Sequence, residues 1–196
     1  MNKTLVVDFD ETLAKTLDSL QDFYKSLYPG AVLDPLQYTY EWDVWKDKQE
    51  HDEFWHQWAA SDRYDAIPPL DQAVETMQTL KRQGYSLYVL TCPPNAPDII
   101  RRRRDSVLNT FGADTFEDVL FGDGWMASKS DILKKLNPLA LIDDVIGFIG
   151  EADALGIKTI MMNRLGRPVV GVPTASVIVR DWSAAYDQII KWSPPC

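Results

Sequence analysis

Hydrophobic positions along this chain fall into two rhythms. Short, unbroken apolar runs of strand length alternate with stretches in which apolar residues recur every three or four positions. Leu5-Val6-Val7 is the first run and predicts a buried parallel strand. Over residues 70–83 the apolar positions Leu70, Ala73, Val74, Met77 and Leu80 keep helical spacing, and Gly84 closes the helix at its C-cap. Leu87-Tyr88-Val89-Leu90 predicts a second strand, and residues 97–110 a helix that ends before Gly112. A third strand, Val119-Leu120-Phe121, stops at Gly122-Asp123-Gly124. Residues 128–136 predict a short helix, Leu139-Ala140-Leu141-Ile142 a fourth strand, residues 146–155 a helix and residues 157–162 a fifth strand. Such alternation implies an α/β fold with a parallel sheet and helices on both faces. Ligands of such sheets bind beyond the carboxyl ends of the strands.

The interval 14–66 breaks this rhythm. Leu17, Leu20, Phe23, Tyr24 and Leu27 form one amphipathic helix, broken at Pro29-Gly30, and two more helical stretches are predicted near 36–47 and 51–60. Half of the chain's aromatic residues lie here, including Trp42, Trp45, Trp55 and Trp58. We read the interval as a small helical cap inserted after strand 1, leaving residues 1–13 and 67–196 as the core. The Trp spacings are those of a buried helix face, so these side chains suit the insert's own core. Stacking of one or two of them on a planar ligand is the other reading.

Composition narrows the function classes. The formal net charge is −9, which disfavours a grip on long nucleic acid. The one dense basic run, Arg101-Arg102-Arg103-Arg104, spreads around a helix axis, so most of it reads as solvated surface. No apolar stretch approaches the roughly 20 residues of a membrane span, and Met1-Asn2-Lys3-Thr4 runs into a strand without a signal-peptide pattern. The two cysteines, Cys92 and Cys196, suit a reducing cytosol and build neither a disulfide framework nor a four-ligand zinc site.

Chemistry gathers at the strand ends. Asp8 and Asp10 follow strand 1, and two carboxylates so close favour a divalent cation or one raised pKa. Oxygen-only ligands select a hard ion such as magnesium. Alone, the pair reads equally as a solvated acidic turn or a helix N-cap. Strand 2 ends in Thr91-Cys92-Pro93-Pro94, a hydroxyl and a backbone N–H where a phosphate could sit, though a Thr there is commonly a turn residue. Ser128-Lys129-Ser130-Asp131 reads as a capping box that places Lys129 in the first helical turn, facing the sheet edge. Asp143-Asp144 follow strand 4, as a helix start or as the completion of a metal site. The ordered set, at successive strand ends, is hard to credit to chance.

This set resembles the haloacid dehalogenase superfamily of phosphohydrolases across nearly the whole chain. Asp8 and Asp10 match its first motif, Thr91 its second, Lys129 its third, and Asp143 with Asp144 its fourth. The resemblance implies a three-layer, Rossmann-like sheet of order 5-4-1-2-3. It implies that Asp8 attacks phosphorus while Asp10 protonates the leaving group and then activates water. Thr91 and the Cys92 N–H would hold the phosphate, and Lys129 would stabilise charge on Asp8 and the phosphoryl oxygens. Magnesium would be held by Asp8, the Asp10 carbonyl and Asp143, with Asp144 ordering a water ligand. Within the superfamily the layout is most similar to the 5′(3′)-deoxyribonucleotidases, through the cap position, Ile67-Pro68-Pro69-Leu70, Thr91-Cys92-Pro93, Leu141-Ile142-Asp143-Asp144, Asn163-Arg164 and Asp181-Trp182-Ser183. In that family a basic residue at the position of Arg103 reaches the phosphate pocket. The sequence departs from it at Glu11-Thr12, where a Gly and an apolar residue are usual. The expected substrate is a small phosphorylated metabolite, a nucleoside monophosphate first. Alternatives are a sugar phosphate, a nucleic-acid 3′-phosphate end, or binding without catalysis. No membrane partner is expected, and a homodimer is compatible with the sequence.

Overall fold

A computed structural model describes residues 2–34, 36–37, 42 and 44–193. Six strands form one fully parallel sheet: β1 (Thr4–Val7), β2 (Ser86–Thr91), β3 (Asp118–Phe121), β4 (Ala140–Asp143), β5 (Lys158–Met162) and β6 (Val177–Val179). Their order is β3-β2-β1-β4-β5-β6. The expected order of five strands is therefore present, and a sixth, unpredicted strand extends it beyond β5. β6 is only three residues long and half exposed, so it carries little apolar signal of its own.

Period-two alternation divides the core between the faces of the sheet. Leu5 and Val7 of β1 join one cluster with α3 (Ala73–Arg82), α4 (Pro97–Phe111) and α7 (Trp182–Trp192). Val6 faces the other way, with Leu90 and Leu141, onto α5 (Ser130–Leu136) and α6 (Ile146–Ala154). β1 is central and its three apolar residues are wholly buried. It pairs in register with both neighbours, Val6 opposite Tyr88 of β2 and opposite Leu141 of β4. That register brings the ends of β1, β2 and β4 to one edge.

Between β1 and α3 the chain builds α1 (Thr16–Leu27), α2 (Lys48–Ala60) and a 3-10 turn (Asp62–Tyr64). The predicted stretch 36–47 lies partly outside the described residues, and its described part is not helical; α2 begins at Lys48, with Asp47 accepting from the Glu50 N–H as N-cap. The outgoing and returning ends of the insert are laced together, Lys15 N–H to Pro68 O at 2.8 Å and Leu70 N–H to Leu13 O at 2.8 Å.

Among the described residues, most of the insert's aromatics form its own core, as their spacing implies. Trp42, Trp45, Phe54 and Tyr24 meet with ring centroids 5.1–6.2 Å apart. Trp58 is buried, stands edge-on to Tyr64 and donates from Nε1 to Ser19 Oγ. Trp55 stands edge-on to Trp58, 5.3 Å between ring centroids, and also reaches beyond the insert. Its ring lies 4.2 Å from that of Trp125, which is half exposed in the loop after β3. Replacing Trp58 with Ala should therefore lower stability by about 3–5 kcal/mol, read as a drop in the urea midpoint with an unchanged slope.

Candidate active site

The sheet edge gathers the predicted residues through short backbone links. Asp8 continues β1 by one residue, its N–H donating to Ile142 O of β4 at 2.9 Å. Asp143 ends β4 and Thr91 ends β2. Across that gap Lys129 is wholly buried, with Nζ 2.5 Å from Asp8 Oδ1 and 2.7 Å from Asp143 Oδ2. The capping box expected around Lys129 does not form. Lys129 is itself the N-cap of α5, and Glu151 of α6 accepts from Ser128 Oγ, the Lys129 N–H and Ser130 Oγ at 2.9–3.0 Å. A carboxylate from the next helix has taken the role assigned to Asp131, and it sets the height at which Lys129 enters the sheet edge.

Carboxylate oxygens of Asp8, Asp143 and Asp144 lie within 4.8 Å of one another, and all three residues are buried. Burial raises the Asp8 carboxyl to about 7 against the pull of Lys129, with Asp143 and Asp10 adding to the rise. Asp143 is raised as well, again mainly by burial. For Lys129 burial works against the charge, but Asp143 and Asp8 outweigh it, so its pKa rises and it stays an ammonium. Three buried carboxylates in one cluster, two of them on Lys129, make a set of oxygen-only donors. This donor set fits a hard divalent cation such as magnesium.

The Asp10 side chain stands apart from this cluster. Its Oδ1 accepts from Thr16 Oγ at 2.7 Å and pairs with Arg103 Nη2 at 3.0 Å, while Thr91 Oγ donates to Oδ2 at 3.3 Å. For the metal role that the resemblance implies, Asp10 is thus left with its carbonyl. The Cys92 thiol turns away to donate to Ala127 O at 3.4 Å, so only its backbone N–H can serve a phosphate.

Arg103 corrects the picture of a solvated basic run. It falls on the inner face of α4 with Ile99, Ser106 and Val107, and is 1% exposed. Its guanidinium lies between the Phe9 and Tyr64 rings, 4.2 and 4.4 Å from their centroids, and Nε donates to Tyr64 Oη. Its Nη1 is buried with no hydrogen-bond partner among the described residues. Arg102 is engaged too, forking onto Asp65 and donating to Ala59 O and Ser61 O. Arg101 and Arg104 are the more exposed members of the run.

Two partnerships were not anticipated. Glu11 is buried at a left-handed φ of 54° and pairs with Arg164, which follows β5. Tyr64, the partner of Arg103, carries no sequence signal beyond being aromatic. For Glu11 the usable signal was a glutamate at a turn position where the resembled family usually carries a Gly.

No family model matches this chain, and no curated protein matches it in sequence. Solved structures do match in fold. L-2-haloacid dehalogenase from Xanthobacter autotrophicus, with chloropropionic acid covalently bound, is 15% identical with a TM-score of 0.68, covering 98% of this chain and 100% of that one. CbbY from Rhodobacter sphaeroides, in complex with xylulose-(1,5)bisphosphate, is 15% identical with a TM-score of 0.61, covering 93% and 96%. YfnB from Bacillus subtilis, classed as a HAD-hydrolase and bound to magnesium, is 12% identical with a TM-score of 0.61, covering 96% and 98%. The chain therefore has the haloacid dehalogenase-type fold. These likenesses do not single out the deoxyribonucleotidases.

Burial, the largest influence, pushes the Cys92 thiol up to about 11 from an ordinary 9.0. The thiolate is the reactive form. In a Cys196→Ser background, alkylation of Cys92 by iodoacetamide at pH 8 should be about a hundredfold slower than that of a free thiol of ordinary pKa, and unfolding in urea should abolish the difference.

Proposed function

We propose that this chain is a magnesium-dependent phosphomonoester hydrolase working through an aspartyl-phosphate on Asp8, in the cytosol, with 1–13 and 67–196 as catalytic core and 14–66 as a cap. The observation that carries the reading is the buried Lys129 bridging Asp8 and Asp143, with the unpartnered Nη1 of Arg103 nearby on the Asp10 side. Magnesium would be held by Asp8, Asp143 and the Asp10 carbonyl, with Asp144 beside it, and would supply charge neutralisation for the transferring phosphoryl group.

Asp8 forms a P–O bond from its carboxylate as the ester P–O bond breaks. The leaving oxygen takes a proton from Asp10. Water then attacks phosphorus, Asp10 takes its proton, and the bond from phosphorus to Asp8 breaks to release phosphate. Lys129 orients Asp8 and offsets charge on the phosphoryl oxygens. Thr91 Oγ, the Cys92 N–H and the free Nη1 of Arg103 hold the phosphate. In the substrate-free arrangement Thr91 and Arg103 both engage Asp10. A phosphate that draws on these donors frees the Asp10 carboxylate to accept its proton.

A nucleoside monophosphate is the substrate class this reading favours. With Trp42 and Trp58 committed to the cap interior, Trp55 and the half-exposed Trp125 are the aromatic surfaces suited to a planar base. The second reading is a sugar phosphate, favoured by the likeness to CbbY, which was solved with a sugar bisphosphate.

Phosphate release with magnesium, measured over nucleoside monophosphates, sugar phosphates and a 3′-phosphorylated oligonucleotide, tests this directly. Nucleoside monophosphates should rank first; sugar phosphates in first place would transfer the assignment, and no release from any would overturn it. Asp8→Asn should cut turnover by at least about a thousandfold while the near-UV spectrum is unchanged. Arg103→Lys loses the fork and the free Nη1, so KM should rise about tenfold or more, with a smaller change in kcat.

A further inference from the structure

Glu11 has no part in the steps above, yet it is held by both its backbone conformation and its side-chain bonds. Its φ of 54° is a left-handed backbone that costs an L-residue about 1–2 kcal/mol. Its side chain is buried. Oε1 accepts the Leu17 N–H at 2.7 Å, and Arg164 donates from Nε to Oε2 at 2.8 Å and from Nη2 to Oε1 at 3.2 Å. The Leu17 N–H is one of the donors in the first turn of α1 that the helix itself leaves unpaired, and its own N-cap, Lys15, makes no side-chain capping bond. Glu11 therefore caps that helix from six residues upstream. Arg164 extends the same grip, with Nη2 2.7 Å from Asp18 Oδ1 in α1.

Three elements meet at this pair: the loop bearing Asp8 and Asp10, the first turn of α1, and the segment after β5. A glycine would adopt φ 54° without strain. A glutamate accepts that strain in return for bonds that a glycine cannot make. The peptide that joins Asp10 to Glu11 carries the Asp10 carbonyl, so whatever fixes Glu11 fixes the aim of that oxygen.

We propose that Glu11 and Arg164 are positioning residues that lock the Asp10–Glu11 peptide and the start of α1 into one unit, holding the Asp10 carbonyl in place for the metal. The magnesium part of this inference rests on the phosphohydrolase reading. Neither residue touches the reacting atoms; they act through the backbone of Asp10. A partner that orients a metal ligand changes metal affinity or activity by about 10–100-fold.

The test uses the full chain and two variants. Glu11→Gly relieves the backbone strain but removes both the cap and the ion pair; Arg164→Lys keeps a charge but cannot fork onto Glu11 and Asp18 together. Calorimetric titration with magnesium should show affinity weakened by about 10–100-fold in Glu11→Gly, and in the same direction by less in Arg164→Lys. With a substrate in hand, kcat should fall in step while KM shifts little. Folded variants with parental magnesium affinity overturn the proposal and leave the pair as a helix cap. Should Glu11→Gly fail to fold, Arg164→Lys decides on the same titration. A parent that binds magnesium more tightly than its variants but hydrolyses no phosphomonoester supports the positioning role and overturns the phosphatase reading. A parent that binds no magnesium overturns both.

Discussion

A lysine ammonium with no exposure to water is tolerated only because two carboxylates meet it. Lys129 takes part in charge-assisted bonds to Asp8 and Asp143, and without them its burial would cost several kcal/mol. The dependence runs both ways, since the buried Asp8 and Asp143 carboxylates both meet this ammonium and lie with Asp144 in one cluster. Much of the surrounding architecture serves that meeting. β1 and β4 must be adjacent and in register, as Val7 opposite Ile142 and the Asp8 N–H on Ile142 O make them. α5 must begin at the right height, which Glu151 fixes by gathering three donors from residues 128–130. A shift of one residue in either strand would leave a buried charge alone.

The parts legible in the sequence are those where one residue's chemistry and one period suffice. Leu5-Val6-Val7 can only be a strand buried on both faces, and Gly84 and Gly112 stop their helices at positive φ. Given alternating strands and helices, the residues at the end of each strand share one edge, so the sequence pattern alone groups Asp8, Thr91 and Asp143. Lys129 was reachable for the same reason, although its local setting was misassigned to a capping box. What stayed hidden depends on packing between distant segments. Arg101 and Arg103 are the same residue type two positions apart, and helix phase alone puts one in water and the other between two rings. β6 needs β5 beside it to be a strand at all, and Glu11 could be understood only with Arg164, 153 positions later.

The arginines share a pattern. Arg164 grips the outgoing end of the insert through Glu11 and Asp18, and Arg102 grips the returning end through Asp65, Ala59 O and Ser61 O. Guanidinium suits this work because one planar group satisfies several acceptors on different segments at once. Between these mounts the insert is also laced to residues 68–70 by backbone hydrogen bonds. On the reading of 14–66 as a cap, its base is held to the core at both ends. On the same reading, selectivity would fall to side chains such as Trp55 of α2, which meets Trp125 from the loop after β3.

Arg103 joins the two themes. Its Nε holds Tyr64 at the end of the insert, its Nη2 holds Asp10, and its Nη1 is buried without a partner among the described residues. Leaving a charged donor unsatisfied in the interior is costly, and a site retains such a donor when a ligand completes it. A phosphate oxygen at Nη1 would remove that cost without breaking the bond to Tyr64. Phosphate binding and the seating of the insert would then favour each other, because the same guanidinium is better satisfied when both are in place. The group that recognises the substrate would thus also be the one that keeps the insert positioned over it.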